Sequence, residues 1–479
     1  MATKDNNFII TLSKFHQGLS PTWWKNTLSS FGNLGQANAM RSCDVLDPTA
    51  MTQGPGLSDM TRGGNLGEPV NFIMDRILTT GHCFAIGNDS LFELDTTSFT
   101  ADSDFPHVIA AMLIGRSVAV MGGYLYYFYD TATAGDIGRH TIDTSTFDDD
   151  WGSTVPTGYA ALQPLSRHPV AVKETVMLFG NGRYAGLYDS ETDTLSPTKL
   201  DFGEGAEVAD VIFHNDYWWI AVNRTNHKNG DRTQIYLYGA AGLTSVLSDE
   251  MSVGLKEIGM MKVLNGVVYV TYIQTNYAKV GYVSGKRIEQ LGVFGGDLPR
   301  YNYKTEYLNT LLLTDGTDIY SIGSIDPSLP VQVSKIANSE GYSAVTALGY
   351  FTSPMVARNN ATLYAVSKFS GFSTYATWDS LIFDMAKGSA LACIDKIVVL
   401  TKALGAGARC DLQVKVNQAV TSLTTAHSVT GTGKTRHIFK KAIPKVEDFR
   451  ISLSWANGNG AYDCAVREIQ VIGHWDEDI

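Results

Sequence analysis

The sequence predicts an all-β protein: a β-propeller of about seven blades, preceded by an extended N-terminal arm and followed by an antiparallel β-sandwich. Three observations carry this. Short alternating apolar runs separated by turn pairs fill the middle of the chain. An apolar residue followed by Asp, a hydroxyl residue, one free position and another hydroxyl occurs four times, at Asp95, Asp130, Asp143 and Asp189, and three of these turns recur at about the 45-residue period of propeller-type arrays. Charged residues are only 18% of the chain while 46 Gly, 23 Tyr and 20 Phe are present, a mixture suited to short strands joined by tight turns.

Residues 1–66 read as the arm. Phe8-Ile9-Ile10-Thr11-Leu12 alternates as one strand; turn formers and amides dominate the rest, as in Gln17-Gly18-Leu19-Ser20-Pro21 and Gln53-Gly54-Pro55-Gly56-Leu57. Ordering backbone costs on the order of 1–2 kcal/mol per residue, so an arm poor in apolar residues stays fixed only along its own body or along a neighbouring subunit. Trp23, Trp24 and Phe31 are the inter-subunit docking candidates, because large aromatics supply most binding free energy from few residues. Phe8, Ile9 and Ile10 are candidates for closing the propeller or for pairing with a neighbour's strand.

Residues 67–380 read as the propeller. Runs such as Thr175 to Phe179, Tyr217 to Val222 and Val267 to Tyr272 are punctuated by Gly122-Gly123, Asn181-Gly182, Asn215-Asp216, Asn265-Gly266 and Asp315-Gly316, pairs that tolerate positive φ in two-residue hairpins. Two stacked sandwiches are the alternative for this zone. Residues 381–479 carry longer alternating strands, among them Cys410 to Val416, Phe449 to Trp455 and Ala465 to Ile472, and read as the sandwich.

Motifs with chemistry are weak. Gly431-Thr432-Gly433-Lys434-Thr435 fails as a phosphate loop, since Ser428 stands where the first Gly belongs and a strand-like segment follows. Asp148-Asp149-Asp150 and the Asp189 turn lack the glycine of an EF-type calcium loop and read as solvated turns. Neither Gly-x-Ser-x-Gly nor His-Glu-x-x-His occurs, and neither does the repeated Ser-x-Asp-x-Gly-x-Thr-Trp turn of sialidase-type propellers, so the reading is non-enzymatic, without cofactor or metal. Lys434, Arg436, Lys440 and Lys441 form a basic run, a half-exposed strand face or a contact for an anionic partner. Tyr301, Tyr303 and Tyr307 read as packing residues before sugar-stacking ones. The five scattered cysteines form no disulfide framework and read as reduced thiols. A formal charge of -11 argues against a protein that grips phosphates along its surface, though DNA could pass it; no segment reaches the length of a membrane span or a signal peptide, so synthesis in a cytoplasm is expected.

The arm also carries a resemblance. Gln17-Gly18-Leu19-Ser20-Pro21-Thr22-Trp23-Trp24, Ser30-Phe31-Gly32-Asn33, Asp47-Pro48-Thr49 and Thr52-Gln53-Gly54-Pro55-Gly56-Leu57 resemble the opening of a group of poorly characterised virion proteins of tailed bacteriophages, over the first sixty or so residues. The arm-propeller layout is similar to that of tail nozzle and hub proteins. The resemblance implies a structural tail protein of the virion that meets copies of itself in a ring and adjacent tail proteins. A receptor-binding protein for a host surface glycan is the alternative, and a glycan-cleaving propeller the third class.

Overall fold

The structure, a computed structural model, describes residues 7–13, 15, 37–41, 43–45, 49–60, 65–75, 82–94, 105–142, 144–154, 161–224, 232–274, 276–324, 331–373, 375–385, 390–417, 427–456 and 464–476. The chain divides into two compact units. The first comprises Met1–Leu57, Asp318–Glu340 and Ser370–Ile479; the second comprises Ser58–Thr317 and Gly341–Phe369. Contiguous boundaries at 66 and 380 were expected; both units instead interleave distant segments.

The second unit opens with five four-stranded antiparallel sheets, each a meander of consecutive strands. Their first strands are Val70–Ile73, Ile114–Met121, Val170–Lys173, Ala206–His214 and Leu255–Leu264. The hairpin Lys304–Tyr307 with Thr310–Thr314 follows, then a sheet beginning at Ala344–Tyr350. These first strands touch in succession around a circle, and Ala344–Tyr350 returns to Val70–Ile73, with a parallel bridge from Asp75 to Tyr350. A closed, propeller-like ring results, and stacked sandwiches do not.

Local chemistry explains the sheets. Gly122-Gly123, Asn215-Asp216 and Asn265-Gly266 all adopt positive φ at both positions, as two-residue hairpins require. In the Asp-led turns the acceptor varies. In the Asp130 turn it is the Thr131 hydroxyl that accepts from the Thr133 and Ala134 N–H groups, at 3.3 and 3.1 Å, while Asp130 is wholly buried. The Asp189 carboxylate does accept from the Glu191 N–H at 3.0 Å; Asp95 and Asp143 lie outside the described residues. Two sheets share a packing device: the rings of Tyr127 and Phe179 lie over Gly138 and Gly186, where a Cβ would stand only 2.0 and 2.3 Å from ring carbons.

The strand that closes the ring is not the one expected. Phe8 to Leu12 pairs antiparallel with Val466–Asp476 in the first unit, its alternate residues Phe8, Ile10 and Leu12 buried. The last sheet of the ring takes Pro55–Asp59 as its fourth strand, and the chain continues beside it, with the Met60 N–H bonded to Val366 O and the Leu66 N–H to Tyr364 O. A charged latch reinforces this closure. Arg358, 4% exposed, bonds Asp59 at 2.6 Å and lies 4.3 Å from the Tyr342 ring centroid; the Ser367 and Tyr342 hydroxyls also donate to Asp59. Burial alone would raise the Asp59 carboxyl, but Ser367 and Arg358 outweigh it and hold it below the ordinary carboxylate range.

In the first unit, one sheet has the order Asn7–Leu12, Val466–Asp476, Leu391–Thr401, Arg436–Val446. A second runs Ala37–Arg41, Tyr375–Ser380, Asp448–Ala456, Arg409–Val416, His427–Thr430. Both sheets send residues into one core, including Leu12, Val471 and Val399 from the first and Trp378, Leu453 and Leu412 from the second. Described residues of the arm up to Met51 are therefore built into this unit: Phe15 meets Trp378 edge-on at 5.3 Å, and Met40, Cys43 and Met51 are buried with it.

Asp59→Asn should test the closure. It leaves Arg358 buried without its carboxylate, which costs about 3 kcal/mol, the low end for a broken buried pair because Asp59 keeps partial solvent access. Since the folded pKa of Asp59 is depressed, its contribution is complete above about pH 4 and is lost as pH falls through the folded value. Denaturant melts should thus separate variant from wild type at neutral pH and converge in acid; a constant gap at every pH would refute the latch.

Candidate functional site

The centre of a propeller-like ring is where such folds gather polar groups, and here the groups come from inner strands far apart in sequence. Lys304 donates to Asp210, and also to Met261 O at 2.8 Å. Asp210, 2% exposed, further accepts from the Met261 N–H at 2.6 Å and the Val211 N–H at 2.9 Å. Burial pushes the Asp210 carboxyl up and the Lys304 ammonium down, with each partner opposing the other's shift. Lys262 reaches Asp75 at 3.2 Å and Glu306 at 3.3 Å; burial pulls its ammonium down, but the two carboxylates outweigh it and hold it above the ordinary lysine range.

Other bonds cross between the same strands. The Thr305 hydroxyl donates to Asp75 at 2.6 Å. Asn302 donates to Asn71 O and Thr346 O at 2.9 and 3.2 Å, and the Thr346 hydroxyl donates to Val70 O at 2.7 Å. Tyr301 OH donates to Arg116 O at 2.8 Å while its ring stacks on Phe72; burial pushes its phenol up. Arg116 continues the chain of contacts to Asp130 at 2.6 Å, and Asp130 to His168 at 3.2 Å, both members of this second pair wholly buried. The centre is thus a satisfied polar network.

Beside it a cleft of about 450 Å³ is lined by Arg167, Arg224, Lys256, Arg300, Glu207, Glu257 and Asn223. Arg167 bonds Glu257 at 2.6 Å and Arg300 stands 3.8 Å from the same carboxylate, so four cations face two carboxylates. Such a lining suits a carboxylate or phosphate group.

The residues singled out in sequence fall as follows. Trp23, Trp24 and Phe31 lie outside the described residues. Phe8 and Ile10 are core residues and Ile9 is 65% exposed on the opposite face of an edge strand. Arg436 and Lys440 are exposed on Arg436–Val446 and Lys434 on the turn before it; the Lys441 side chain is outside the described set. Arg436 lines a cleft of about 550 Å³ with Ser13, Thr49, Thr435, Arg467 and Glu468. Tyr301 is a central packing residue, and Tyr307 meets Phe369 edge-on at 5.6 Å. Asp149 accepts from Tyr127 OH at 2.5 Å and stands 2.9 Å from His107, a structural acceptor. Asp210, Lys262 and Lys304 were missed. For Asp210 and Lys262 a signal was present, a charge within an otherwise apolar strand (Val208-Ala209-Asp210-Val211-Ile212; Met260-Met261-Lys262-Val263), but their partners stand 94 and 187 residues away.

No family model and no curated protein matches the chain. Similar solved structures include the extracellular domain of the one-component system BT4673 from B. thetaiotaomicron (TM-score 0.46, 12% identity, covering 73% of this chain and 43% of that one). The WD40 domain of Neurospora crassa Pan2 is similar at TM-score 0.42 and 9% identity, over 67% of this chain and 98% of that one. An exo-β-1,3-galactanase from Phanerochaete chrysosporium is similar at 0.33 and 10%, over 88% and 100%. The chain spans less than half the length of the first of these. At such scores they carry no conclusion about activity, and the propeller-like reading rests on the sheets themselves. Among the described residues no helix is long and apolar enough to cross a membrane.

Lys304→Met should cost about 3–5 kcal/mol by stranding a buried carboxylate. Adding Asp210→Asn should recover part of that loss, with a coupling of about 0.5–3 kcal/mol in a double-mutant cycle read by denaturant unfolding. Strict additivity would show that the two groups do not act as a pair.

Proposed function

We propose that this chain is a structural component of a bacteriophage tail, built as a seven-bladed propeller joined to a β-sandwich and assembling with copies of itself and with adjacent tail proteins in the virion. One observation carries the reading. Phe15 and Met40, described residues on either side of the stretch that carries Trp23, Trp24 and Phe31, are buried in the same core. Tethering lowers the entropy lost when a segment docks, and aromatic anchors then supply affinity. The resemblance of this stretch to the opening of phage virion proteins supports the same assignment.

In this reading the chain performs no catalysis: Asp130 and Asp210 are engaged by Arg116, His168 and Lys304, a scaffold's use of buried charge. Bonds of ordinary hydrogen-bond length cross the centre of the ring, so any DNA would run through an assembly of subunits and not through one propeller. A host-glycan receptor role is the second reading, favoured by the cleft in which Arg436 and Arg467 could meet an acidic sugar. Direct binding of the purified chain to host cells, abolished by Arg436→Ala with Arg467→Ala, would support it over the first.

Assembly predicts a separation of effects. Trp23→Ala with Trp24→Ala should leave the unfolding transition unchanged and reduce incorporation into particles at least about tenfold, the loss expected from a central aromatic anchor. Truncation of residues 1–60 should instead destabilise the whole first unit, because it removes Phe8, Ile10, Leu12, Phe15 and Met40 from the core at about 2–5 kcal/mol for each large side chain. Normal incorporation of the double tryptophan variant would defeat the proposal.

A further inference from the structure

We propose a binding site for a divalent metal ion of the zinc class on the solvent-facing side of the first unit's first sheet, with Cys393, Asp395 and His474 as its protein ligands. Among the described residues these three form the one group of His, Cys and acidic side chains whose donor atoms converge: all lie within 4.8 Å of one another.

The backbone brings them together. Leu391–Thr401 buries Ala392 and Ile394, so Cys393 between them faces outward. His474 stands directly opposite Cys393 in the antiparallel register with Val466–Asp476. That register then passes from Ile394 to Lys396, leaving Asp395 as the extra residue of a bulge. Bulges re-aim side chains beside functional sites, and this one delivers a carboxylate to the Cys-His pair. The His474 Nδ1 to Asp395 Oδ2 separation is 3.0 Å, and the Cys393 Sγ to Asp395 Oδ1 separation is 3.9 Å.

These separations bracket those around a tetrahedral ion. With Zn–S near 2.3 Å and Zn–N or Zn–O near 2.0 Å, neighbouring donors around zinc stand roughly 3.3–3.7 Å apart. Asp395 and His474 are each about two-fifths exposed, so their side chains can close the remaining distance without moving the sheet. A thiolate, a carboxylate and a neutral imidazole place two negative charges against a dication and select zinc or cobalt over calcium and magnesium, which prefer oxygen ligands. Three protein ligands leave a fourth position for water or for a donor from another molecule. The site would also clamp the C-terminal strand to its neighbour, so binding should raise the melting temperature.

The test uses the tag-free full chain and Co²⁺ as the probe. One equivalent should bind with tetrahedral visible bands and a thiolate-to-cobalt charge-transfer band, both displaced by Zn²⁺. Cys393→Ser should abolish the charge-transfer band, and His474→Ala should weaken binding at least about tenfold. A second readout needs no variant. Cys393 is the one cysteine that is not buried, so its alkylation dominates the thiol reactivity of the folded chain, and Zn²⁺ should slow it at least about tenfold. Absence of the band, its survival in Cys393→Ser, unweakened binding by His474→Ala, or alkylation indifferent to Zn²⁺ would each overturn the site.

Discussion

Closure is the constraint on which the propeller-like unit depends. A four-stranded sheet standing alone is marginal, because one face and both edges stay wet. The ring removes that problem only if its last sheet meets its first, which brings together residues such as Asp59 and Arg358, 299 positions apart. Closing a loop of that length costs on the order of 5 kcal/mol plus a constant. A single latch of about 3 kcal/mol cannot offset this; the backbone bonds of Met60 and Leu66 to the last sheet and the parallel bridge at Asp75 must act with it. The latch and the closing strand are one cooperative feature.

The central network serves a different end. Buried ion pairs are weak evidence for stability, since desolvation consumes much of their Coulomb attraction. What they can supply is specificity of arrangement. Lys304 finds Asp210 two sheets back and Lys262 finds Asp75 at the start of the ring, so a ring with a sheet missing or displaced would strand the buried Asp210 and Lys304 charges and part the half-exposed Lys262–Asp75 pair. The identical four-stranded meanders gain from such a device, because nothing in their own pattern distinguishes one neighbour from another.

Much of this was legible in the sequence, and the rest was unreadable for physical reasons. Strand identity and hairpin chemistry are local: Gly122-Gly123, Asn215-Asp216 and Asn265-Gly266 announce positive φ by residue type alone. The arm was misread because its average composition is polar, whereas burial of a strand depends on alternate residues only, and Phe8, Ile10 and Leu12 are enough to fix one. The partner of that strand begins at Val466, and no local pattern reports a partner at the far end of a chain. Asp130 teaches the same lesson in reverse: in a turn-forming context it reads as a turn acceptor, yet Arg116 and His168 take it inward and Thr131 inherits its role.

The interleaved first unit is complete only when the last strand of the chain has joined it. Its first sheet pairs Asn7 with His474 and sets Leu391–Thr401 against the same C-terminal strand, so Asn7–Leu12 has no partner in this sheet, and one edge of Leu391–Thr401 stays open, until that strand has been made. Non-local antiparallel pairing of this kind is slow to form, and its unpaired edges invite association with other chains in the meantime. Under the proposed tail role, a unit completed only with its last strand would keep unfinished chains out of the particle, and that ordering would follow from the topology without any further regulator.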